Sequence, residues 1–95
     1  MGSYVIRLKV LPQDTTTAHE SIVSSISAVL PKEASVRSQK IEPIAFGLSA
    51  IIVDIVAPEE EGMVDKIEQA AATAQLVGQV DLMGVSRMSS RLPPG

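Results

Sequence analysis

Histidine and cysteine, which are common in catalytic and metal-binding sites, are scarce in this chain of 95 residues. It has one histidine and no cysteine, which excludes a disulfide framework, a thiolate metal site and a site built from several imidazoles. A histidine acts as a base only within hydrogen-bond reach of a nucleophile, with a third group to orient it. His19 is predicted to lie near the start of a helix, where a solvated polar residue is ordinary. We expect no catalytic role for it.

Three consecutive carboxylates, Glu59, Glu60 and Glu61, are the other candidate for acid–base chemistry or metal binding. Consecutive side chains at the entrance to a helix point in different directions, and negative charge there interacts favourably with the helix dipole. We therefore interpret the run as a solvated helix start. The glycines are isolated and form no phosphate-binding pattern. The sequence thus predicts no catalytic residue, no metal site and no cofactor.

Charge and composition argue against two classes of partner. The net charge is −3, without long runs of one sign, so no basic surface for nucleic acid or anionic lipid is predicted. The aromatic residues Tyr4 and Phe46 are too few for an RNA-stacking platform. No apolar run approaches the ~18 to 20 residues that span a bilayer, and the N-terminus lacks a basic region followed by an apolar core. We expect a soluble cytoplasmic protein without a direct nucleic-acid or membrane partner.

Hydrophobic periodicity predicts a strand and then a helix in the first third of the chain. Residues 4–11 alternate between an apolar and a mixed face, as in a half-buried strand. Thr17 and Glu20 match a capping box, which predicts that a helix begins there, and Pro31 stops it near Leu30. The apolar face of the strand consists of Tyr4, Ile6, Leu8 and Val10. The apolar stripe of the helix consists of Ile22, Val23, Ile26, Val29 and Leu30.

Two further strands, a helix and a last strand follow. Residues 35–42 are mostly polar, which is typical of an edge strand. Strict alternation places Val36, Ser38 and Lys40 on the same face of this strand. Residues 46–56 are apolar on both faces and predict a central strand. A second helix follows the acidic run and stops at Gly78. Residues 79–88 predict the last strand, in which Val80, Leu82 and Gly84 share a face. The stripe of the second helix consists of Met63, Val64, Ile67, Ala70, Ala71 and Ala74.

The order of these elements predicts the fold. Strand, helix, strand, strand, helix, strand is the split βαβ arrangement of an α+β, ferredoxin-like fold, βαββαβ, in which two helices cover one face of a four-stranded antiparallel sheet. The other face of the sheet is then open to a partner. We expect residues 1–88 to form one domain and residues 89–95 a flexible C-terminal tail.

The least generic segment runs from residue 42 to residue 48. It places the only phenylalanine, Phe46, between a proline-containing turn and a glycine, at the entrance to the most apolar strand. From the residues alone, Phe46 either caps the core or forms an exposed anchor, and an anchor of that kind contributes on the order of 2 kcal/mol or more at an interface. Arg87, near the end of the last strand, is by itself an ordinary surface charge.

The segment Ile-Glu-Pro-Ile-Ala-Phe-Gly-Leu, residues 41–48, resembles the archaeal translation elongation factor 1-beta family, and with it the exchange domain of the eukaryotic factor. The likeness extends to the strand exit at residues 9–12, to the apolar strand at 48–56 and to residues 81–88. It covers about residues 3 to 88 of the chain. The motif at 41–48 is its most specific part.

This resemblance implies a guanine nucleotide exchange domain over residues 1–88, which promotes release of GDP from the GTPase elongation factor 1-alpha. It implies that Phe46 contacts the GTPase, that Pro43, Ile44 and Gly47 shape the loop, and that Arg87 enters the magnesium and phosphate region. A cation there weakens nucleotide binding without covalent chemistry, so the protein is an exchange factor and not an enzyme in the covalent sense.

Two features differ from the eukaryotic relatives. A lysine usually stands where this chain has Arg87, and the broad guanidinium fork differs from a compact ammonium charge. Their chains also end soon afterwards, whereas residues 89–95 follow here. Arg91 is therefore a second candidate for the magnesium-site role.

Other functions remain compatible with the residues. A ferredoxin-like small-ligand sensing or oligomerisation module would use the open sheet face, and it predicts a self-associated chain with a pocket or an interface. An acylphosphatase-like hydrolase would need an arginine-containing phosphate loop after the first strand, and residues 11–15 do not supply one. The sequence does not determine the oligomeric state.

Overall fold

The computed structural model describes residues 2–14, 18–45 and 47–89. Its elements, in chain order, are β1 (Gly2–Pro12), α1 (His19–Val29), β2 (Ser35–Pro43), β3 (Ser49–Pro58), α2 (Met63–Ala72) and β4 (Val77–Ser89). The strands form one sheet in the order β2-β3-β1-β4, and every neighbouring pair is antiparallel. This confirms the predicted α+β ferredoxin-like fold, with β2 at one edge and β3 in the interior.

Strand β1 lies inside the sheet and pairs on both sides. Its residues face β3 along one side and β4 along the other. Ile6, Leu8 and Val10 are completely buried, whereas Arg7 between them is exposed. Because successive side chains in a strand point to opposite faces, the sequence alternation fixes which face of the whole sheet carries the core.

The core lies between that face and the two helices. Helix α1 buries Ile22 and Ile26, and α2 buries Met63, Ile67 and Ala71. Each fully buried aliphatic side chain stabilises the fold by about 1.5–3 kcal/mol relative to exposure. The apolar stripes predicted for the two helices are confirmed at these positions. Val29, in the last turn of α1, is the exception, because it is exposed.

A β-bulge changes the predicted faces in β2. The register shifts between Val36 and Ser38, and Arg37 is the extra residue. Val36 lies opposite Ile55 and Gln39 lies opposite Val53, so these two share the helix-covered face. Val36 therefore does not lie with Ser38, as strict alternation predicted. One inserted residue reverses the alternation of everything beyond it.

A second bulge has the same effect in β4. Gly84 lies opposite Arg7, Leu82 lies opposite Leu8, and Met83 between them is the extra residue. Leu82 is thus on the helix side of the sheet and Gly84 on the open side. The prediction that these two share a face was wrong, because a bulge leaves no signal in the hydrophobic pattern of a partly exposed edge strand.

The first residues predicted for one helix and one strand also differ from the structure. Helix α1 begins at His19, and its N-cap Ala18 makes no side-chain capping hydrogen bond. The helix thus starts after the predicted capping residue, Thr17, which lies outside the described residues. Strand β3 begins at Ser49 and not at residue 46. The reason is a turn at residues 44–48, whose backbone groups bond to one another instead of to a neighbouring strand.

Gly78 is not the stop of α2. The helix ends at Ala72, and the hydroxyl of Thr73, its C-cap, donates a hydrogen bond of 2.7 Å to the carbonyl of Ala70. Gly78 lies within β4, which begins earlier than predicted. A Cβ at Gly78 would come within 3.0 Å of the backbone oxygen of Pro12. Glycine is favoured there, because with a Cβ the neighbouring backbone would have to give by a few tenths of an ångström.

This contact predicts that Gly78→Ala destabilises the fold by roughly 1–3 kcal/mol, because the added methyl meets backbone atoms, which give way less readily than the end of a flexible side chain. Gly84→Ala in the same strand is the matched control, since a Cβ there meets nothing within 4 Å, and its effect should stay within about 0.5 kcal/mol. Urea unfolding of both variants measures the difference. Equal free energies of unfolding for the two variants would contradict the predicted clash at Gly78.

Candidate functional site

The loop between β2 and β3 is a closed turn. The Ile44 N–H donates to the Leu48 carbonyl at 2.9 Å, and the Leu48 N–H donates to the Ala45 carbonyl at 2.9 Å. Gly47 has a φ of 76°, in the left-handed region that favours glycine. A Cβ at Gly47 would meet nothing within 4 Å, so the backbone conformation and not lack of space requires glycine.

This turn displays aliphatic side chains to solvent. Ile41, Ile44 and Leu48 are 51%, 46% and 42% exposed, and Pro43 beside them is exposed. Large apolar side chains grouped on a surface are typical of binding sites. We call Ile41, Pro43, Ile44 and Leu48 the hairpin surface. Phe46, the predicted anchor of this loop, lies outside the described residues.

A cavity of about 540 Å³ adjoins the hairpin surface. It is lined at the start of α1 by Ala18, His19 and Glu20, and on the sheet by Gln39, Ile41 and Ile51. His19 thus lies next to apolar and carboxylate groups. Within the described part of the chain, no cluster of three or more His, Cys, Asp or Glu residues is suited to hold a metal ion.

Arg87 lies near the end of β4 and forms an ion pair. Its Nη2 is 2.8 Å from Oε1 of Glu59, with the arginine side chain 75% exposed and the glutamate 28% exposed. The sequence grouped Glu59 with a solvated helix start. That interpretation was wrong for Glu59, which is paired and partly covered, because no sequence pattern links two residues so far apart in the chain. Glu60 and Glu61 are exposed.

The structure places Arg87 and the hairpin loop at opposite ends of the sheet. Arg87 lies opposite Tyr4, and Tyr4 lies opposite Ala57 of β3, whereas the loop enters β3 at Ser49. The strand from Ser49 to Ala57 spans about 27 Å at ~3.4 Å per residue. Pro43, Ile44 and Gly47 are brought together, and Arg87 is held far from them.

Between the two ends, the open face of the sheet carries a second and more extensive ion pair. Arg7 donates from Nε to Asp54 Oδ1 at 2.8 Å and from Nη2 to Oδ2 at 3.0 Å, and the Ser38 hydroxyl donates to Oδ2 at 3.2 Å. The bonds from Arg7 hold the pKa of Asp54 below its usual value against partial burial, and the Ser38 hydroxyl and the charge of Arg37 act in the same direction.

Comparison with known proteins identifies the family. Residues 5–88 match the EF-1 guanine nucleotide exchange domain. Elongation factor 1-beta of Thermofilum pendens is 40% identical over 90 residues, which is 94% of this chain and 99% of that protein. Elongation factor 1-beta of Saccharolobus solfataricus is 34% identical over 89 residues, which is 93% of this chain and 98% of that protein.

A weaker likeness comes from a solved structure. The C-terminal domain of the MgtC protein from Mycobacterium tuberculosis has a TM-score of 0.45 and 12% identity, over 95% of this chain and 88% of that one. A similarity of that size carries no argument about function.

The fold and these matches define a ferredoxin-like nucleotide exchange domain. The chain belongs to the EF-1 guanine nucleotide exchange domain family, and its function is guanine nucleotide exchange in translation elongation. The resemblance seen at residues 41–48 is confirmed, and exchange is favoured over the ligand-sensing alternative. In the described residues, no helix has both the length and the apolar character needed to cross a membrane.

The lowered pKa of Asp54 predicts a pH dependence of stability. Because the folded-state value lies below the unfolded value of about 3.9, the ionised carboxylate stabilises the fold above that pH, and this stabilisation is lost as the pH falls through the folded-state value. Asp54→Asn should therefore be less stable than the wild type at pH 7, and the difference in their free energies of unfolding should shrink as the pH falls. Urea unfolding from pH 7 to pH 2 measures this difference. An NMR titration of Asp54 at or above its ordinary pKa would contradict the prediction.

Proposed function

We propose that the chain accelerates release of GDP from elongation factor 1-alpha by touching the GTPase at two separate places, the hairpin surface and Arg87. The observation that carries this proposal is the separation of the two by about 27 Å along a rigid sheet. A span of that length exceeds a single small pocket, so the two ends contact different parts of the GTPase.

The hairpin end supplies binding. Ile44 and Leu48 expose aliphatic surface on a turn closed by two backbone hydrogen bonds, and Ile41 exposes more at the end of β2. A preordered loop loses little conformational entropy on binding, so more of the apolar burial appears as affinity. Phe46, which directly precedes Gly47 in the sequence, is the proposed anchor, and the positive φ of Gly47 permits the closed turn.

The other end supplies the charge that destabilises bound GDP. A guanidinium close to the nucleotide phosphates competes with Mg²⁺ for their negative charge, and this weakens nucleotide binding without forming or breaking a covalent bond. The exchange factor must bind the nucleotide-free GTPase more tightly than the GDP-bound form, and that difference in affinity sets how far it shifts the equilibrium. Arg87 is mostly exposed, which suits a group that enters a partner.

The remaining assignments follow from this activity. The exchange domain comprises residues 1–88. Of the predicted tail, residues 89–95, Ser89 is the last residue of β4 and pairs with Gly2, and residues 90–95 lie outside the described residues. The partner is the GTPase, without direct nucleic-acid or membrane contact, and the site of action is the cytoplasm, where translation takes place. No metal or other cofactor is needed by the chain itself.

The first test is the release rate of a fluorescent GDP analogue from elongation factor 1-alpha, at increasing concentrations of this protein. The wild type should accelerate release. Arg87→Ala should lower the maximum rate about ten- to a hundredfold, because a charge-assisted hydrogen bond contributes about 1.5–3 kcal/mol. Lys66→Ala, which removes an exposed cation from α2, is the control. If Arg91→Ala lowers the maximum rate and Arg87→Ala does not, the charge that acts at the nucleotide belongs to Arg91. If folded wild type does not accelerate GDP release, the exchange function is refuted.

The hairpin variants test a different parameter. Phe46→Ala should raise the concentration for half-maximal acceleration by about tenfold or more, since truncating a buried anchor costs on the order of 2 kcal/mol. Ile44→Ala should raise it about fivefold through lost apolar burial. Both should keep the maximum rate, because the charged end is intact. Val29→Ala, which truncates an exposed aliphatic in α1, should change neither parameter. A fall in maximum rate alone would contradict the division of roles.

A further inference from the structure

The ion pair between Arg87 and Glu59 has unequal members. The guanidinium is mostly exposed and the carboxylate is largely covered. Glu59 directly follows β3, and its backbone N–H donates to the Gly2 carbonyl at 3.3 Å. The backbone of Glu59 is therefore anchored to the end of β1, and Arg87 is the more exposed member of the pair.

This pairing opposes the role proposed for Arg87. A guanidinium bound to a carboxylate forms a unit of zero net charge, and its attraction for a phosphate is reduced accordingly. Phosphate oxygens and carboxylates are alternative partners for the same planar fork of donors. Arg87 must exchange one for the other if it is to act at the nucleotide.

We propose that Glu59 is a positioning residue that holds Arg87 at the sheet edge of the free protein and gives it up when the GTPase binds. This inference rests on the proposed function of Arg87. The pair is suited to such an exchange because its guanidinium is 75% exposed. An ion pair that is open to solvent on the arginine side contributes little stability, so phosphate oxygens displace the carboxylate. The alternative, a pair that must persist in the complex, would leave the charge of Arg87 neutralised.

The test is GDP release with Glu59→Gln, which keeps the shape of the side chain and removes its charge. The concentration for half-maximal acceleration should fall about two- to fivefold, as expected from the strength of an exposed pair. The maximum rate should be unchanged, because Arg87 is free of Glu59 in the engaged complex of either protein. Glu60→Gln is the matched control, since it removes the same charge from the exposed neighbouring residue and should leave the concentration dependence as in wild type.

Two further readouts separate this role from a structural one. In an Arg87→Ala background, Glu59→Gln should have no effect, since the residue that it restrains is gone. The half-maximal concentrations of Glu59→Gln and wild type should also become equal as salt rises from about 0.05 to 0.5 M, because screening weakens the ion pair. An effect of equal size in the Arg87→Ala background would overturn the proposal.

The outcomes also distinguish the two proposals. If wild type accelerates release and Glu59→Gln has the wild-type concentration dependence, the role of Glu59 is refuted and the exchange function stands. If Glu59→Gln slows release as much as Arg87→Ala does, the pair is required in the complex, and the proposed release is wrong. If wild type does not accelerate release at all, both proposals fail.

Discussion

The pairing of β1 on both sides is the constraint on which the rest of the structure depends. Its alternating side chains are matched residue by residue to β3 and to β4, so that a one-residue slip would turn Ile6, Leu8 and Val10 away from the helices. The same pairing fixes the two ends of the sheet relative to each other. The distance between the hairpin loop and Arg87 is therefore a property of the most strongly specified part of the fold.

We propose that the domain contacts its partner at the two ends of the sheet. The helix-covered face of the sheet buries its aliphatic side chains, so that face has few groups to offer a partner. At the ends, a closed turn with Gly47 in a left-handed conformation exposes aliphatic groups, and the last strand exposes an arginine. The two proposed contact points, one apolar and one charged, are thus separated in space.

The two arginine–carboxylate pairs have the same shortest distance but different surroundings. Arg7 and Arg87 each approach a carboxylate to 2.8 Å. Arg7 binds both oxygens of Asp54, which also accepts a bond from Ser38 and lies in the middle of the open face. For Arg87 and Glu59 the arginine side chain is 75% exposed and Nη2 lies 2.8 Å from Oε1. Bidentate geometry with a third donor favours a permanent pair, whereas a pair with a mostly exposed arginine is exchanged more easily.

The sequence by itself determined the order of the elements, the fold class, the buried face of β1 and, through residues 41–48, the family. These follow from local periodicity and from turn residues, which act over a few positions. The tertiary structure decided the bulges at Arg37 and Met83, the strand location of Gly78, the pairing of Glu59 with Arg87 and the separation of the two proposed contact points. Each of these depends on which strand lies beside which, and such contacts between distant residues leave no pattern along the chain.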